Sequence, residues 1–163
     1  MSQPIHVPLS GRGIEKVIKE VENYKQWLAQ KSEVLCERMA TLGATHASLS
    51  FSRAAYTGIK DAQITVEPTA KGYVVRAEGE SVLFVEFGSG ITYGSGHPDA
   101  AKYGMGPGTY PDGKGHWDDP RGWWLPKEKG GGHTFGNPPA APMYNAVKTI
   151  ESQLKQIVKE VFS

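Results

Sequence analysis

A tract rich in glycine, proline and tryptophan, residues 87–142, constrains the fold of this chain more than any other feature. It holds 14 of the 20 Gly, eight of the 11 Pro and three of the four Trp. Glycine loosens the backbone and proline removes an amide donor, so the tract cannot form a long helix or strand. The tryptophans make it too aromatic for an ordinary disordered linker. We therefore predict a contact-making loop over residues 88–141, which either is ordered by itself or becomes ordered against a partner, because structureless insertions of this length are uncommon unless functional.

Size and charge narrow the class of protein. The 163 residues suit one domain with enough length to bury a core. The formal net charge of +1 gives no reason to expect strong nucleic-acid binding, which needs many phosphate-neutralising Lys and Arg. No apolar run approaches the roughly 20 residues of a membrane-spanning helix, so no membrane partner is expected. The single cysteine, Cys36, excludes an intrachain disulfide and fits assembly in a reducing cytoplasm.

The N-terminal part of the chain has the pattern of one long helix. Residues 1–12 are expected to form an extended lead-in, and apolar side chains then recur at spacings of three and four over residues 13–42. Gly43 is a plausible stop signal. A helix of about 30 residues would be about 45 Å long, which exceeds the diameter of a small domain. It therefore either breaks near residues 30–32 or extends beyond the sheet on which it packs.

A second helix is predicted at the C-terminus, over residues 142–162. Pro142 suits the first helical position, where its missing N–H costs nothing. The apolar seam of this helix has spacings of three and four: Val147, Ile150, Leu154, Ile157 and Val161. We expect the seam to pack on the sheet beside the first helix.

Residues 48–87 have the alternation typical of strands. Residues 48–54 alternate around Leu49 and Phe51, and residues 62–67 and 72–78 alternate on either side of turn-forming residues, which predicts a hairpin. The apolar run 82–87 fits a buried strand or a short helix equally well. The order helix, strands, loop, helix lacks the alternation of a parallel sheet. It favours an α+β domain with a small antiparallel sheet flanked by the long N-terminal helix and the C-terminal helix.

Polar residues within the long loop raise the alternative of a small metal-dependent hydrolase. Histidine and carboxylate side chains are common metal ligands. Those in the loop are His97, Asp99, His116, Asp118, Asp119 and His133. Their spacing matches no known metal motif, so we favour solvent-facing or interface roles for them.

Glu86 stands between the apolar residues Val85 and Phe87. Buried acids are rare unless paired, so we expect its carboxylate to form a salt bridge or to accept hydrogen bonds from neighbouring backbone amides. Catalysis would need a second carboxylate or a base at a definable distance, and the sequence offers none. We therefore predict no catalytic residue, no cofactor and no bound metal.

The aromatic residues of the loop have two interpretations. They could form a small local core, or they could anchor a protein partner, since tryptophan provides a large contact area at low entropic cost. Stacking on single-stranded nucleic acid is a third use of such rings, but the near-neutral charge argues against it. The interface candidates are Glu86, Trp117, Arg121, Trp123, Trp124 and Phe135.

Several segments resemble a known family. Residues 81–90, SVLFVEFGSG, closely resemble the "YVEFGTG"-type signature of the minor tail components of long-tailed bacteriophages, called tail-completion or head–tail joining proteins. Residues 136–146, GNPPAAPMYNA, resemble the "PARPFLRPAL"-type start of that family's C-terminal helix, without its usual arginine. Residues 104–110 and 115–124 look like the longer loop of members from prophages of low-GC Gram-positive bacteria. The resemblance covers roughly residues 62–161.

The resemblance implies a virion structural protein without catalysis, at the head-proximal end of the tail and in the host cytoplasm during assembly. Such proteins form rings, commonly hexameric, so the implied partners are other copies of the chain, the tail-tube protein and the head connector or stopper proteins. A cyclic ring needs two different complementary surfaces on each subunit. We expect residues 88–139 to supply much of one surface, and a sheet edge or the long helix to supply the other. Contact with DNA in the ring channel would be weak and transient.

Overall fold

A computed structural model describes residues 10–90, 96–105 and 120–163 of the chain. Its longest element is helix α1, Gly11–Arg53, which is 43 residues long and unbroken. The hydroxyl oxygen of Ser10 caps its start by accepting the N–H of Gly13 at 3.2 Å. The long N-terminal helix is therefore confirmed, but the predicted stop at Gly43 is wrong, and there is no break near residues 30–32.

The strand predicted at residues 48–54 is also wrong, because these residues form the last turns of α1 and the residue after it. The apparent alternation placed Leu49 and Phe51 on one face, but Leu49 is exposed and Phe51 is buried. Ala47 and Phe51, which lie four residues apart, are both buried. That spacing places them on one face of a helix.

Gly43 lies inside the helix for a packing reason. It is buried, and a Cβ atom added there would lie 2.8 Å from the Cδ1 atom of Ile150 on the C-terminal helix. The glycine therefore lets the two helices approach closely instead of ending the first one.

The predicted hairpin is confirmed. Strand β1, Gln63–Thr69, pairs antiparallel with strand β2, Gly72–Glu78, in a register that sets Gln63 opposite Glu78. Both strands pack on α1, which gives the two-stranded sheet the support that an isolated hairpin lacks. The apolar run that fitted either structure forms a short helix, α2, Val82–Phe87. The prediction that residues 48–87 are all strands is therefore correct only for the hairpin.

The described parts of the long loop are ordered by short elements. Strand β3, Ser89–Gly90, pairs with β6, Gly136–Asn137, and β4, Trp123–Trp124, pairs with β5, His133–Thr134. Two 3₁₀ turns span Ala101–Tyr103 and Lys127–Lys129.

The C-terminal helix, α3, Pro142–Phe162, has the predicted bounds, but the prediction that it packs on the sheet is wrong: it packs chiefly along α1, in the opposite direction. Its Phe162 ring meets the Trp27 ring edge to face, with centroids 5.8 Å apart. Ile157 and Val161 of the predicted seam are buried and Ile150 is half-buried, whereas Val147 and Leu154 are exposed. These helices and the small antiparallel sheet confirm the predicted α+β class.

The apolar core lies where α1, the hairpin, α2 and the start of α3 meet. Its buried members are Phe51, Ala54 and Val85, with Ile64 and Met143 among the side chains packed against them. Many large apolar side chains of the described residues remain exposed.

Replacing Gly43 with leucine tests the close packing of α1 on α3. Overpacking a tight contact costs about 1 to 3 kcal/mol, while removing a helical glycine returns about 1 kcal/mol. We therefore expect Gly43→Leu to lower the free energy of unfolding by up to about 2 kcal/mol, measured by urea denaturation. Ser48→Leu, on the exposed side of the same helix, is the control and should cause no loss. A Gly43→Leu variant that is more stable than the wild type by the full gain of about 1 kcal/mol for removing a helical glycine would contradict the packing assignment.

Candidate functional site

Two segments far apart in sequence join at the base of the long loop. We call their contacts the clasp, formed by residues 84–90 and 136–144. The hydroxyl of Ser89 donates a hydrogen bond to Oδ1 of Asn137 at 2.6 Å, and Nδ2 of Asn137 donates to the backbone oxygen of Phe84 at 2.8 Å. Both polar side chains are buried. The clasp therefore closes the loop at the point where the chain leaves the body and returns to it.

Two glycines let the backbones of the clasp touch. Gly90 and Gly136 have φ angles of 69° and 96°, in the left-handed region that disfavours other residues. A Cβ atom on Gly136 would overlap the carbonyl oxygen of Ser89, and one on Gly90 would overlap that of Phe135. Glycine is thus required at both positions of the β3–β6 pair.

Glu86 is the central side chain of the clasp and is only 6% exposed. Its two carboxylate oxygens accept the backbone N–H groups of Met143 at 2.8 Å and of Tyr144 at 3.0 Å. These amides lie in the first turn of α3, where a helix leaves its N–H groups without internal partners. A carboxylate there is further stabilised by the helix dipole. Glu86 therefore caps α3 from a different segment of the chain.

Local sequence explains why α3 needs this external cap. The residue before the helix is Ala141, whose side chain forms no capping hydrogen bond, and Pro142 has no N–H group. Ala141 also adopts a left-handed conformation, with φ 48° and ψ 47°. Its N–H donates to the backbone oxygen of Glu86 at 3.2 Å, and the N–H of Ala140 donates to the backbone oxygen of Val85 at 2.9 Å. The chain is thus held in this conformation by hydrogen bonds to α2.

His97 is the second buried partner of Glu86. Its Nε2 lies 3.1 Å from Oε1 of Glu86, and its Nδ1 accepts the backbone N–H of Asp99 at 3.1 Å. Since Nδ1 accepts, the ring proton lies on Nε2 and is donated to the carboxylate. The ring also contacts Phe87, with centroids 4.4 Å apart. His97 thereby fixes a second part of the long loop to the clasp.

The other end of α2 is held by Asp61. Its carboxylate accepts the backbone N–H groups of Glu80 at 2.8 Å and of Ser81 at 2.9 Å. Burial acts to raise the pKa of Asp61, but hydrogen bonds from the side chain and backbone of Ser81 and from the backbone of Glu80 lower it below its ordinary value. The segment that carries Glu86 is therefore anchored on both sides.

The structure separates the predicted interface residues into different environments. Glu86 lies in the interior, where its carboxylate is bonded within the chain, so it supports the fold and does not present itself to a partner. Arg121 is exposed, and Trp123 is half-buried beside a cavity of about 400 Å³. Trp117 lies outside the described residues.

Two exposed aromatic side chains of the long loop form one group with a histidine. Trp124 is 75% exposed and Phe135 is 51% exposed, and the ring of His133 lies between them, with centroids 5.2 and 4.9 Å away. We call these three residues the aromatic group. It lies on the β4–β5 pair and immediately beyond it, so a short stretch of sheet holds it at the surface. This arrangement favours a partner-binding role over a local core.

A second exposed apolar surface lies on α1, which does not break and instead takes the other predicted course of extending beyond the sheet. We call residues 11–26 the arm, since they lie beyond Trp27, where α3 ends against α1. The apolar side chains of the arm form a stripe: Ile14, Val17, Ile18, Val21 and Tyr24. Four of them are 49–61% exposed and Val17 is half-buried. The excess length of the predicted helix was the only signal of this arm.

The His and Asp residues weighed as metal ligands are not brought together in the described part of the chain. His97 and Asp99 are joined by a hydrogen bond beside the clasp, whereas His133 belongs to the aromatic group. Across residues 10–90, 96–105 and 120–163, no three His, Cys, Asp or Glu side chains could share a metal ion. His116, Asp118 and Asp119 lie outside the described residues.

Comparisons with known proteins add no relative. No protein-family model, curated protein or solved structure matches the chain. Among the described helices, none combines the length and the apolar character needed to span a bilayer.

Replacing Glu86 with glutamine tests the clasp. The glutamine side chain keeps one oxygen that can accept a hydrogen bond, but an NH2 group replaces the other oxygen. At least one of the buried N–H groups that bond to Glu86 therefore loses its acceptor. We expect Glu86→Gln to lower the free energy of unfolding by about 3 kcal/mol, the scale of a hydrogen bond to a charged group. Urea denaturation measures this loss, and the dependence of the unfolding free energy on urea concentration should be the same as in the wild type. Glu22→Gln, on the exposed arm, should stay within about 0.5 kcal/mol of the wild type; equal stability of the two variants would contradict the role of Glu86.

Proposed function

We propose that this chain is a structural protein of a phage virion that completes the tail at its head-proximal end and joins it to the head connector as a ring. One observation carries the proposal beyond the motif resemblance: the chain holds two separate apolar surfaces in solvent, the arm and the aromatic group. Large exposed apolar patches mark interaction sites. A subunit of a closed ring needs two different surfaces for its neighbours, and a joining protein needs a further one for another component.

The clasp supports the same proposal. The two segments that resemble the tail-completion family, residues 81–90 and 136–146, lie 48 residues apart at the Ser89–Asn137 bond, yet they pack against each other. In these segments Glu86 caps α3, and the hydrogen bond between Ser89 and Asn137 closes the long loop. The clasp gives the long loop a fixed base, so that residues such as Trp124 are presented at a defined position on the body.

The two exposed surfaces suit different partners. The arm projects from the body as a continuous helix, which suits contact with an adjacent subunit of the ring. The aromatic group is compact and rigidly held, with a tryptophan and a phenylalanine of the type enriched in binding hot spots. We assign it to the tail-tube protein, with the connector on the other side of the ring. Contact with the DNA that crosses the ring is weak, because a net charge of +1 neutralises few phosphates.

The proposal predicts both a ring and a partner contact. Light scattering of the purified chain, alone and with the tail-tube protein from the same genome, should give the mass of a ring of about six subunits in at least one condition. The double variant Trp124→Ala/Phe135→Ala should weaken binding to the tube protein about 30-fold, which corresponds to one hot spot of about 2 kcal/mol. Its unfolding midpoint should stay close to that of the wild type, because both rings are exposed.

The matched control is Leu49→Ala/Val74→Ala, which removes two exposed apolar side chains elsewhere on the surface. It should leave tube binding unchanged. A strict monomer in both conditions would overturn the ring. Equal tube binding by the aromatic and control variants would overturn the assignment of the aromatic group.

A further inference from the structure

We infer that the arm of each subunit binds in an apolar groove on the body of the next copy of the chain. This inference rests on the ring proposed above and names the two surfaces that build it. The groove has a volume of about 610 Å³ and lies between α2, the start of α3 and the turn at residues 97–103. Its wall includes Phe87, Tyr103, Met143, Tyr144 and Val147.

The arm cannot be covered by the described part of its own body. Helix α1 has 43 residues and α3 has 21, so their lengths are about 64 and about 31 Å. Because α1 is unbroken, residues 11–26 cannot fold back, and they extend about 24 Å beyond Trp27. An isolated helical segment of this length is marginal in water, so a partner that covers its apolar stripe would stabilise it.

The width of the stripe favours a groove over a single partner helix. At 100° per residue, Tyr24 and Ile18 mark the edges of a stripe about 120° wide. A two-helix coiled coil uses a narrower seam, whereas a helix that packs on the body of a protein presents a face at least this wide. The groove is built by two helices and a turn, so it can contact the whole width of the stripe.

The groove, like the stripe of the arm, exposes apolar side chains to solvent. Val147 is 52% exposed and Tyr103 is 58% exposed. The charged groups at its rim are paired with one another: Lys148 Nζ lies 2.8 Å from Glu151, and Lys102 Nζ lies 4.0 Å from Asp99. These pairs leave the rim without net charge, so the contact depends on apolar burial and should be insensitive to salt.

The positions of arm and groove favour contact between successive copies. The arm begins where α3 ends, at Phe162, whereas the groove lies where α3 begins, at Tyr144. The two surfaces therefore lie at opposite ends of the 21-residue helix. Such an arrangement joins the arm of one copy to the groove of the next, and repeated contacts close into a ring when the rotation allows.

The available area is sufficient for a specific contact. Each of the five stripe side chains leaves on the order of 100 Å² exposed, so the arm offers roughly 500 Å² and the two partners together bury roughly 1,000 Å². This value is at the lower limit for a specific interface. Each subunit of a ring makes the contact twice, once with its arm and once with its groove, which strengthens the assembly.

Cysteine cross-linking of the full chain tests the contact. In a Cys36→Ala background, one protein carries Val21→Cys on the stripe and another carries Val147→Cys in the groove. Mixed and oxidised, they should form a cross-linked dimer, and a chain carrying both substitutions should form a ladder of oligomers. The control is Lys19→Cys, which lies on the opposite side of the arm. With Val147→Cys it should give at least tenfold less cross-linked product.

The outcomes separate this inference from the proposed function. A ring seen by light scattering without the Val21–Val147 cross-link would overturn the arm-in-groove contact and leave the ring in place. Dimers formed by the Val21→Cys protein alone would show that arms pair with each other, which also overturns it. A chain that stays monomeric and gives no cross-link, with the tail-tube protein present, would overturn both.

Discussion

The carboxylate of Glu86, bound to two backbone amides 57 and 58 residues away, is the contact on which the rest of the structure depends. A buried carboxylate is costly unless its oxygens are satisfied. Here two amides of α3 and the Nε2 of His97 provide the donors. The same bonds supply the cap that Ala141 and Pro142 cannot provide. One side chain thus fixes the start of α3, the short helix α2 and the return of the long loop.

The clasp explains how the described parts of the glycine-rich tract are held in place. Gly90 and Gly136 let two backbones touch, and Ser89 and Asn137 bond across them. The loop begins and ends at the same set of contacts, so closing the clasp fixes both of its ends together. The aromatic group then lies on a short β-pair near this base. Glycine and proline are needed for close approach and for the start of a helix, and the exposed rings of Trp124 and Phe135 can serve as a contact surface.

Much of the fold follows from the sequence, and the errors have a common physical cause. The hairpin and α3 were predicted within one or two residues, because alternation and helical spacing reflect local burial. The predictions for Gly43 and for residues 48–54 were wrong because tertiary packing decides their conformation. Gly43 leaves room for the side chain of Ile150. Phe51 is buried together with Ala47, which lies one helical turn earlier.

The candidate site could be predicted only in part. The sequence indicated that Glu86 would form a salt bridge or accept hydrogen bonds from backbone amides close to it in the chain. The true partners are set by tertiary structure, since nothing local to Met143 or Tyr144 indicates a missing cap. Trp124 and Phe135 of the aromatic group were chosen as interface candidates from composition. The arm was only one of two alternatives for the long helix, because periodicity shows that a face is apolar and does not show what covers it.

The measurement that tests this account most directly is amide hydrogen exchange at the start of α3. An ordinary first turn has unpartnered amides and exchanges quickly. If Glu86 caps this turn from the interior, Met143 and Tyr144 should exchange as slowly as the centre of α3, through global unfolding. Rapid exchange at these two amides, with the rest of α3 protected, would contradict the central role of Glu86.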